Sequence, residues 1–312
     1  MEAAKKIPLV VVEGPTASGK TAAAIHICQK FDGEVVSADS MQIYKGIHIA
    51  SAAPDIEEMG GIPHHLMEFL DLNEQFSVAD YVKIAREKIK EIIGRGNIPI
   101  VVGGTGLYIS ALIENTEFVS VRTDETLRKK LEEEFDTLGG EEMLNRLAKF
   151  DPQSAERLNV GYKRRIVRCF EIFETTGKSL TQQNELSHRN PPEFESLVLG
   201  ITYKDREKLY ERINKRVDIM LQKGLLEEAK TTYKNRNNNG AFQAIGHKEL
   251  YGYFEGEHSL EEAAELLKQQ TRRYAKRQLT WFRKNESIIW LYPDGDDDIF
   301  KTAKTLAEEF LN

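Results

Sequence analysis

The octapeptide Gly14-Pro15-Thr16-Ala17-Ser18-Gly19-Lys20-Thr21 sets the tightest limit on what this chain can fold into. It matches the pattern G-x-x-x-x-G-K-[ST], and its flanks fit the pattern as well. Before it stands a continuous apolar run, residues 7–12 (IPLVVV), which reads as a strand buried on both faces. After it comes an alanine-rich stretch, residues 21–30, that reads as a helix. In a strand–loop–helix of this kind, backbone N–H groups converge on phosphate oxygens, and the positive end of the helix adds to their pull. Lys20 brings a point charge to the terminal phosphates, and the Thr21 hydroxyl is placed to ligate a Mg²⁺ bound to them. The loop does not specify which phosphorylated molecule it holds.

Further along, short apolar runs alternate with helical patterns. Residues 34–37 (EVVS) and 98–102 (IPIVV) read as strands, and residues 77–93 carry apolar side chains at helical spacing. The order strand, helix, strand, helix, strand predicts an α/β fold with a doubly wound parallel sheet. Residues 122–187 then show helical stripes and no strand, so the chain reads as a sheet domain, residues 1–120 and 190–312, interrupted by an all-helical insertion, residues 121–189. Residues 196–203 return to strand. Two long helices follow, residues 206–233 and 260–284, with a short helical segment around 244–251 between them, and residues 287–291 form a last strand.

Several side chains stand where strands of such a sheet end, at the edge that faces the ligand crevice. Asp39 follows the second strand. It could hold Mg²⁺ through water, act as a general base, or cap the next turn with Ser40. Thr105 lies in Gly103-Gly104-Thr105-Gly106 after the third strand. It could hydrogen-bond a ligand that the glycines let come close, or belong to a plain turn into the next helix. His64-His65 lacks any partner pair at ligand spacing, which argues against a metal site.

The net charge is −7 over 312 residues, so the surface as a whole is no polyanion binder. Basic side chains are nonetheless concentrated. Residues 268–284 hold seven, among them Arg272, Lys276 and Arg277, and no acidic one, which points to a channel for a polyanion. Tyr274, Trp281 and Phe282 in that stretch read as core residues. Arg164, Arg165 and Arg168 lie opposite an apolar stripe, and Arg212 and Arg216 share one helix face. No stretch has the length of a membrane span, the first apolar run is too short for a secretory core, and the two cysteines are scattered. A cytoplasmic protein without membrane contact, in monomeric form, is the expectation.

Together these motifs resemble one family. GPTASGKT, then residues 37–44 (SADSMQIY), residues 102–108 (VGGTGLY), 164–168 (RRIVR), 243–246 (QAIG) and 275–281 (AKRQLTW) are similar, in order and over nearly the whole chain, to the bacterial tRNA dimethylallyltransferases, or tRNA isopentenyltransferases. The resemblance implies transfer of a dimethylallyl group from dimethylallyl diphosphate to the exocyclic amine of the adenosine directly 3′ of the tRNA anticodon. It implies Asp39 as general base, Thr105 in contact with the reacting nucleotide, and residues 14–21 with Arg216 on the diphosphate. Asp39, Ser40, Met41, Gln42, Thr105, Arg164, Arg165, Arg168, Gln243, Gly246 and Lys248 would contact the anticodon stem-loop, with Arg272, Lys276 and Arg277 in the basic channel. Two departures stand out. Where the family reads close to MDIGTAKP, this chain has Ile47-His48-Ile49-Ala50-Ser51-Ala52-Ala53-Pro54, and the family's IGYKE is here Ile245-Gly246-His247-Lys248-Glu249. Rival readings are a prenyltransferase acting on free adenine nucleotides, a small-molecule kinase that consumes ATP, and an RNA-binding protein without catalysis.

Overall fold

The computed structural model describes residues 6–118, 124–187, 189–234, 240–295 and 298–312. In chain order the first elements are β1 (Ile7–Glu13), α1 (Lys20–Phe31), β2 (Gly33–Ser37), the one-turn helices α2 (His48–Ser51) and α3 (Ile56–Met59), β3 (His64–His65), α4 (Val78–Gly94), β4 (Ile98–Gly103) and α5 (Gly106–Ile113). Four helices follow: α6 (Glu125–Leu147), α7 (Pro152–Arg157), α8 (Lys163–Thr176) and α9 (Leu180–Ser187). Then come β5 (Phe194–Ile201), α10 (Arg206–Gln222), α11 (Leu225–Lys234), a stretch of 3₁₀ turns, α12 (Tyr251–Phe254), α13 (Leu260–Phe282), β6 (Ile289–Leu291) and α14 (Ile299–Leu311).

The chain divides into two compact units. One is formed by Met1–Ile113 with Glu193–Asn312, the other by Glu114–Pro192. The first is built on a six-stranded parallel sheet of order β3-β2-β4-β1-β5-β6. Its continuous apolar strands follow from burial on both faces. Val10, Val12, Ile100, Val102, Leu199 and Ile201 point to one face and pack with Ala23, Ala24 and Ile27 of α1 and Ala303 and Ala307 of α14. Leu9, Val11, Val36 and Val101 alternate with them and are equally buried, on the face where α4 and α5 lie, their Tyr81 and Tyr108 rings stacked at 4.2 Å. Each such aliphatic side chain taken out of water contributes roughly 1.5–3 kcal/mol.

One expectation is corrected, and two elements stand beyond those expected. The single helix over residues 206–233 is two, because Gly224 adopts φ 101°, a left-handed conformation that ends α10 and restarts the chain as α11. The adjacent histidines form the edge strand β3. His65 Nε2 lies 2.5 Å from a Glu34 carboxylate oxygen, and His64 Nδ1 donates to the Ile62 carbonyl at 2.8 Å. The other element is α14, which covers β1 and β5 and whose Ile299, Ala303 and Ala307 recur at helical spacing.

The second unit is all helical. α6 kinks at Gly139, and its Leu131, Met143 and Leu147 are buried, as are Ile166, Val167, Cys169 and Ile172 of α8. Phe150 stacks on Phe173 at 4.0 Å. Arg128 and Arg168 converge on the buried Glu171 carboxylate.

Candidate active site

The loop between β1 and α1 wraps the start of a helix whose N-cap, Gly19, offers no side chain, and whose first turn holds no acidic residue. The first N–H groups of α1 are therefore free of side-chain caps, and the positive end of the helix is open to an anion. Not every loop amide is available, however. Thr16 N–H donates to Gln278 Oε1 at 3.0 Å and Ser18 N–H to the Pro15 carbonyl at 3.3 Å. The buried Ser18 Oγ has no protein partner.

Beside the loop lies a cavity of about 610 Å³. Ser18, Gly19, Lys20 and Thr21 form one wall, and Arg212, Lys215 and Arg216 of α10 face them. The helical spacing of Arg212 and Arg216 delivers both to one side, as the sequence suggests. Arg212 Nε donates to the Ala17 carbonyl at 3.0 Å, and Arg216 to the Ala52 carbonyl at 3.0 Å. Lys20 Nζ reaches the Pro15 carbonyl at 3.3 Å. Burial pushes the Lys20 ammonium down to about 8, against the pull of Asp39 and with the added repulsion of Arg216. Burial likewise lowers Arg216, although Glu58 and Asp39 oppose the shift. Cations that resist their own charge in this way gain most from a dianionic ligand.

Lys20 and Thr21 also border a second, much smaller space of about 20 Å³, closed by Ser37, Asp39, Gln42 and His64. Asp39 is held by its own turn: Oδ1 accepts Met41 N–H at 2.9 Å. Thr105 fixes the neighbouring residue, accepting Ser40 N–H at 2.9 Å and donating to Ser40 Oγ at 3.2 Å. The two loops can meet because Gly103 has no side chain. A Cβ there would lie 2.1 Å from the Ala38 carbonyl oxygen. Burial, and then the negative charge of Asp39, raises the nearby Tyr274 hydroxyl. The loop after β2, the loop after β4 and the phosphate-type loop thus converge on one edge of the sheet. Chemically, the arrangement pairs a strongly cationic cavity with a carboxylate that shares the adjoining small space with Lys20 and Thr21.

Gln278 carries no signal of this role in the sequence. Lying 6% exposed on α13, it holds the loop at Thr16 and, through Nε2, the Gly104 carbonyl at 2.8 Å. Only its place within residues 275–281 hinted that it matters.

The remaining expected residues are dispersed. Gln42 Oε1 accepts from Ser37 Oγ at 2.9 Å, and Met41 packs against the cluster around Ile43 and Tyr44. Gly246 N–H donates to Glu249 at 2.9 Å and Lys248 is exposed, while the side chain of Gln243 lies outside the described residues. On α13, Lys276 and Arg277 are exposed, but the stripe is less free than its charge count implies. Arg272 donates to Asn214 at 2.6 Å, and Lys268 is paired with Asp218 and Glu265, each at 2.9 Å. Trp281, expected in the core, is 41% exposed, with Lys284 over its ring at 5.4 Å. In the helical unit, Arg164, Arg165 and Arg168 gather with Arg157 around a cavity of about 650 Å³. Arg165 lies over the Tyr162 ring at 5.0 Å.

No helix among the described residues is long and apolar enough to cross a membrane. No group of three or more His, Cys, Asp or Glu side chains among them could hold a metal ion.

Residues 42–285 match the family model described as IPP transferase. A tRNA dimethylallyltransferase of Acetivibrio thermocellus is 47% identical over 300 residues, covering 96% of each chain. One of Bacillus subtilis is 44% identical, covering 91% of this chain and 90% of its own. Among solved structures, the full-length tRNA isopentenylpyrophosphate transferase of Bacillus halodurans superposes with a TM-score of 0.72 at 40% identity, covering 98% of this chain and 97% of that one. A eukaryotic dimethylallyltransferase acting on tRNA reaches a TM-score of 0.82 at 30% identity, covering 98% and 80%.

Proposed function

The chain belongs to the IPP transferase family, and on that premise we propose that it transfers the dimethylallyl group of dimethylallyl diphosphate to the exocyclic amine of the adenosine 3′ of the tRNA anticodon. The observation that carries this reading is the pairing of the partly buried cations Lys20 and Arg216 with a carboxylate, Asp39, at one sheet edge. A kinase for small molecules or a transferase for free adenine nucleotides has no support among the relatives.

In this reading the diphosphate occupies the 610 Å³ cavity, against the start of α1. Lys20, Arg212 and Arg216 stabilise the charge that grows on it as the allylic C–O bond breaks, in place before the reaction begins. The adenine amine is a poor nucleophile. As its nitrogen forms the new bond to carbon, it gives its proton to Asp39, whose Oδ1 is already fixed by Met41 N–H. Thr105 serves first as a brace for the Ser40 backbone next to that carboxylate. To reach this edge the adenine must leave its stack.

Around the 20 Å³ space, Thr21, Ser37, Asp39 and Gln42 offer oxygens, which suit a hard cation, beside the Lys20 ammonium and the His64 imidazole. Thr21 would hold Mg²⁺, with few protein ligands and the rest from phosphate and water. When bound, the ion would add charge stabilisation on the departing diphosphate. Arg164, Arg165, Arg168, Lys276 and Arg277 would supply phosphate contacts to the stem-loop.

The test is incubation with radiolabelled dimethylallyl diphosphate, Mg²⁺ and unmodified tRNA whose anticodon is followed by adenosine, without ATP and with AMP in parallel. Label in tRNA alone is expected. Label in AMP, or a requirement for ATP, would overturn the assignment.

A further inference from the structure

One buried polar chain links two stretches of the first unit that the proposed mechanism leaves unexplained. α2 is a single turn, and its N-cap, Ile47, has no side chain able to cap it. The N–H groups of its second and third residues point instead to a carboxylate 179 and 178 residues away. Ile49 N–H donates to Glu228 Oε2 at 2.8 Å and Ala50 N–H to Oε1 at 2.9 Å. Those are the donors that a capping side chain normally takes. Burial opposes ionisation of Glu228, but the hydrogen bonds from His247, Ala50 and Ile49 outweigh it and hold the carboxyl below the usual range.

The carboxylate is itself held from behind. His247, with none of its side chain exposed, donates Nε2–H to Glu228 Oε1 at 2.9 Å. Its Nδ1 lies 3.0 Å from Thr232 Oγ1. The preceding residue, Gly246, backs directly onto α2, where an added Cβ would sit 3.1 Å from Ala50 Cβ. At its other end α2 stops at Ala52 in the left-handed conformation, φ 53°. The Ala52 carbonyl so presented accepts Arg216 at 3.0 Å and Gln42 Nε2 at 3.4 Å. The chain of contacts thus runs from His247 through Glu228 and α2 to a cation of the diphosphate cavity.

We propose that Glu228 and His247 are positioning residues for Arg216, acting through α2, and that they couple the segment around Gly246–Lys248 to the diphosphate cavity. The coupling rests on the functional reading above and on the RNA contacts that the family resemblance implies for Gly246 and Lys248; the positioning of Arg216 does not. Thermodynamic reciprocity then requires that RNA at one end and diphosphate at the other alter each other's affinity by the same factor.

The experiment is calorimetric titration of the full chain with inorganic diphosphate and Mg²⁺, with and without an anticodon stem-loop, alongside KM and kcat for dimethylallyl diphosphate. Glu228→Gln keeps size and shape but cannot accept all three donors. Diphosphate binding is expected to weaken about fivefold or more, in the range of a lost hydrogen bond to a charged group. KM should rise in parallel while kcat changes less, and the effect of the stem-loop on diphosphate affinity should vanish. The sign is diagnostic, because removing a negative charge near the cavity would by itself strengthen binding of an anion. His247→Leu should reproduce the loss, whereas His247→Gln, which keeps a donor toward Glu228, should restore it; thermal melting monitors folding throughout. Should Glu228→Gln fail to fold, the two His247 variants carry the comparison. Unchanged or tighter diphosphate binding in Glu228→Gln, or equal loss in both His247 variants, overturns the positioning role. A wild-type affinity for diphosphate indifferent to the stem-loop overturns the coupling. Absence of any label transfer by the wild type would instead defeat the functional assignment, and the diphosphate titrations would still report on the contact chain.

Discussion

Gln278 Nε2 lies 2.8 Å from the carbonyl oxygen of Gly104, tying α13 to the loop that carries Thr105. The same amide accepts Thr16 N–H, so one side chain sets the spacing of the two loops that flank the proposed reaction. Replacing it by leucine leaves two backbone groups without this partner, the Gly104 carbonyl buried and the Thr16 N–H partly buried. Gln278→Leu is expected to lose about 2–3 kcal/mol of stability by denaturant unfolding, and turnover should fall with it. Gln278→Glu can still accept from Thr16 but opposes a carboxylate to the Gly104 carbonyl, so it should rescue little.

Asp39→Asn preserves the hydrogen bond from Met41 N–H but removes the base. Single-turnover transfer should slow by roughly 10²–10⁴-fold, with diphosphate binding retained. Turnover near that of the wild type would remove Asp39 from the base role.

Burial sets Lys20 near 8 in the free protein. Its folded value lies below the unfolded one, so from about pH 8 upward the folded protein releases this proton before the unfolded chain does. Stability from this group therefore rises with pH between about 8 and 10.5. Affinity for diphosphate runs the other way, falling as pH climbs through 8. Binding above pH 8 should then take up close to one proton, readable by calorimetry in buffers of different ionisation enthalpy. Lys20→Met should abolish that uptake.

At the opposite end of β2, burial resists ionisation of Glu34, yet hydrogen bonds from Arg95, Asn97 and His65 together hold its carboxyl at about 2. The folded value is depressed, so the stabilisation is complete above the unfolded value of 4.5 and is lost as pH falls toward 2. Glu34→Gln should cost on the order of 2 kcal/mol at neutral pH, discounted for the exposure of Arg95, and should flatten the acid limb of the unfolding profile between those pH values.

The central strands, the loop at residues 14–21 and the placement of Asp39 and Thr105 were legible because apolar runs and glycine-rich turns are local signals. The edge strand at His64–His65 was not, since two residues are too few to show a period. The break at Gly224 was hidden inside an otherwise helical pattern that glycine can also tolerate. Gln278 and Glu228 were out of reach for a different reason. Each acts through partners far away in the chain, and nothing local in a glutamine or a glutamate announces such a partner. Trp281 lies at the surface although its residue type points to the core, for an aromatic ring among arginines serves either place equally well.

The helical unit leaves and re-enters the sheet unit through two neighbouring stretches of chain. Glu117 N–H donates to the Ser187 carbonyl at 2.9 Å and Asn115 Nδ2 to the Pro191 carbonyl at 2.7 Å. A graft is therefore topologically simple. A short turn joining the two stretches would excise the four helices and leave α5 before them and β5 after them, and the helices of a relative could be spliced in at the same seam. The cavity beside the start of α1 lies wholly within the sheet unit, so diphosphate binding could then be compared with and without the four helices.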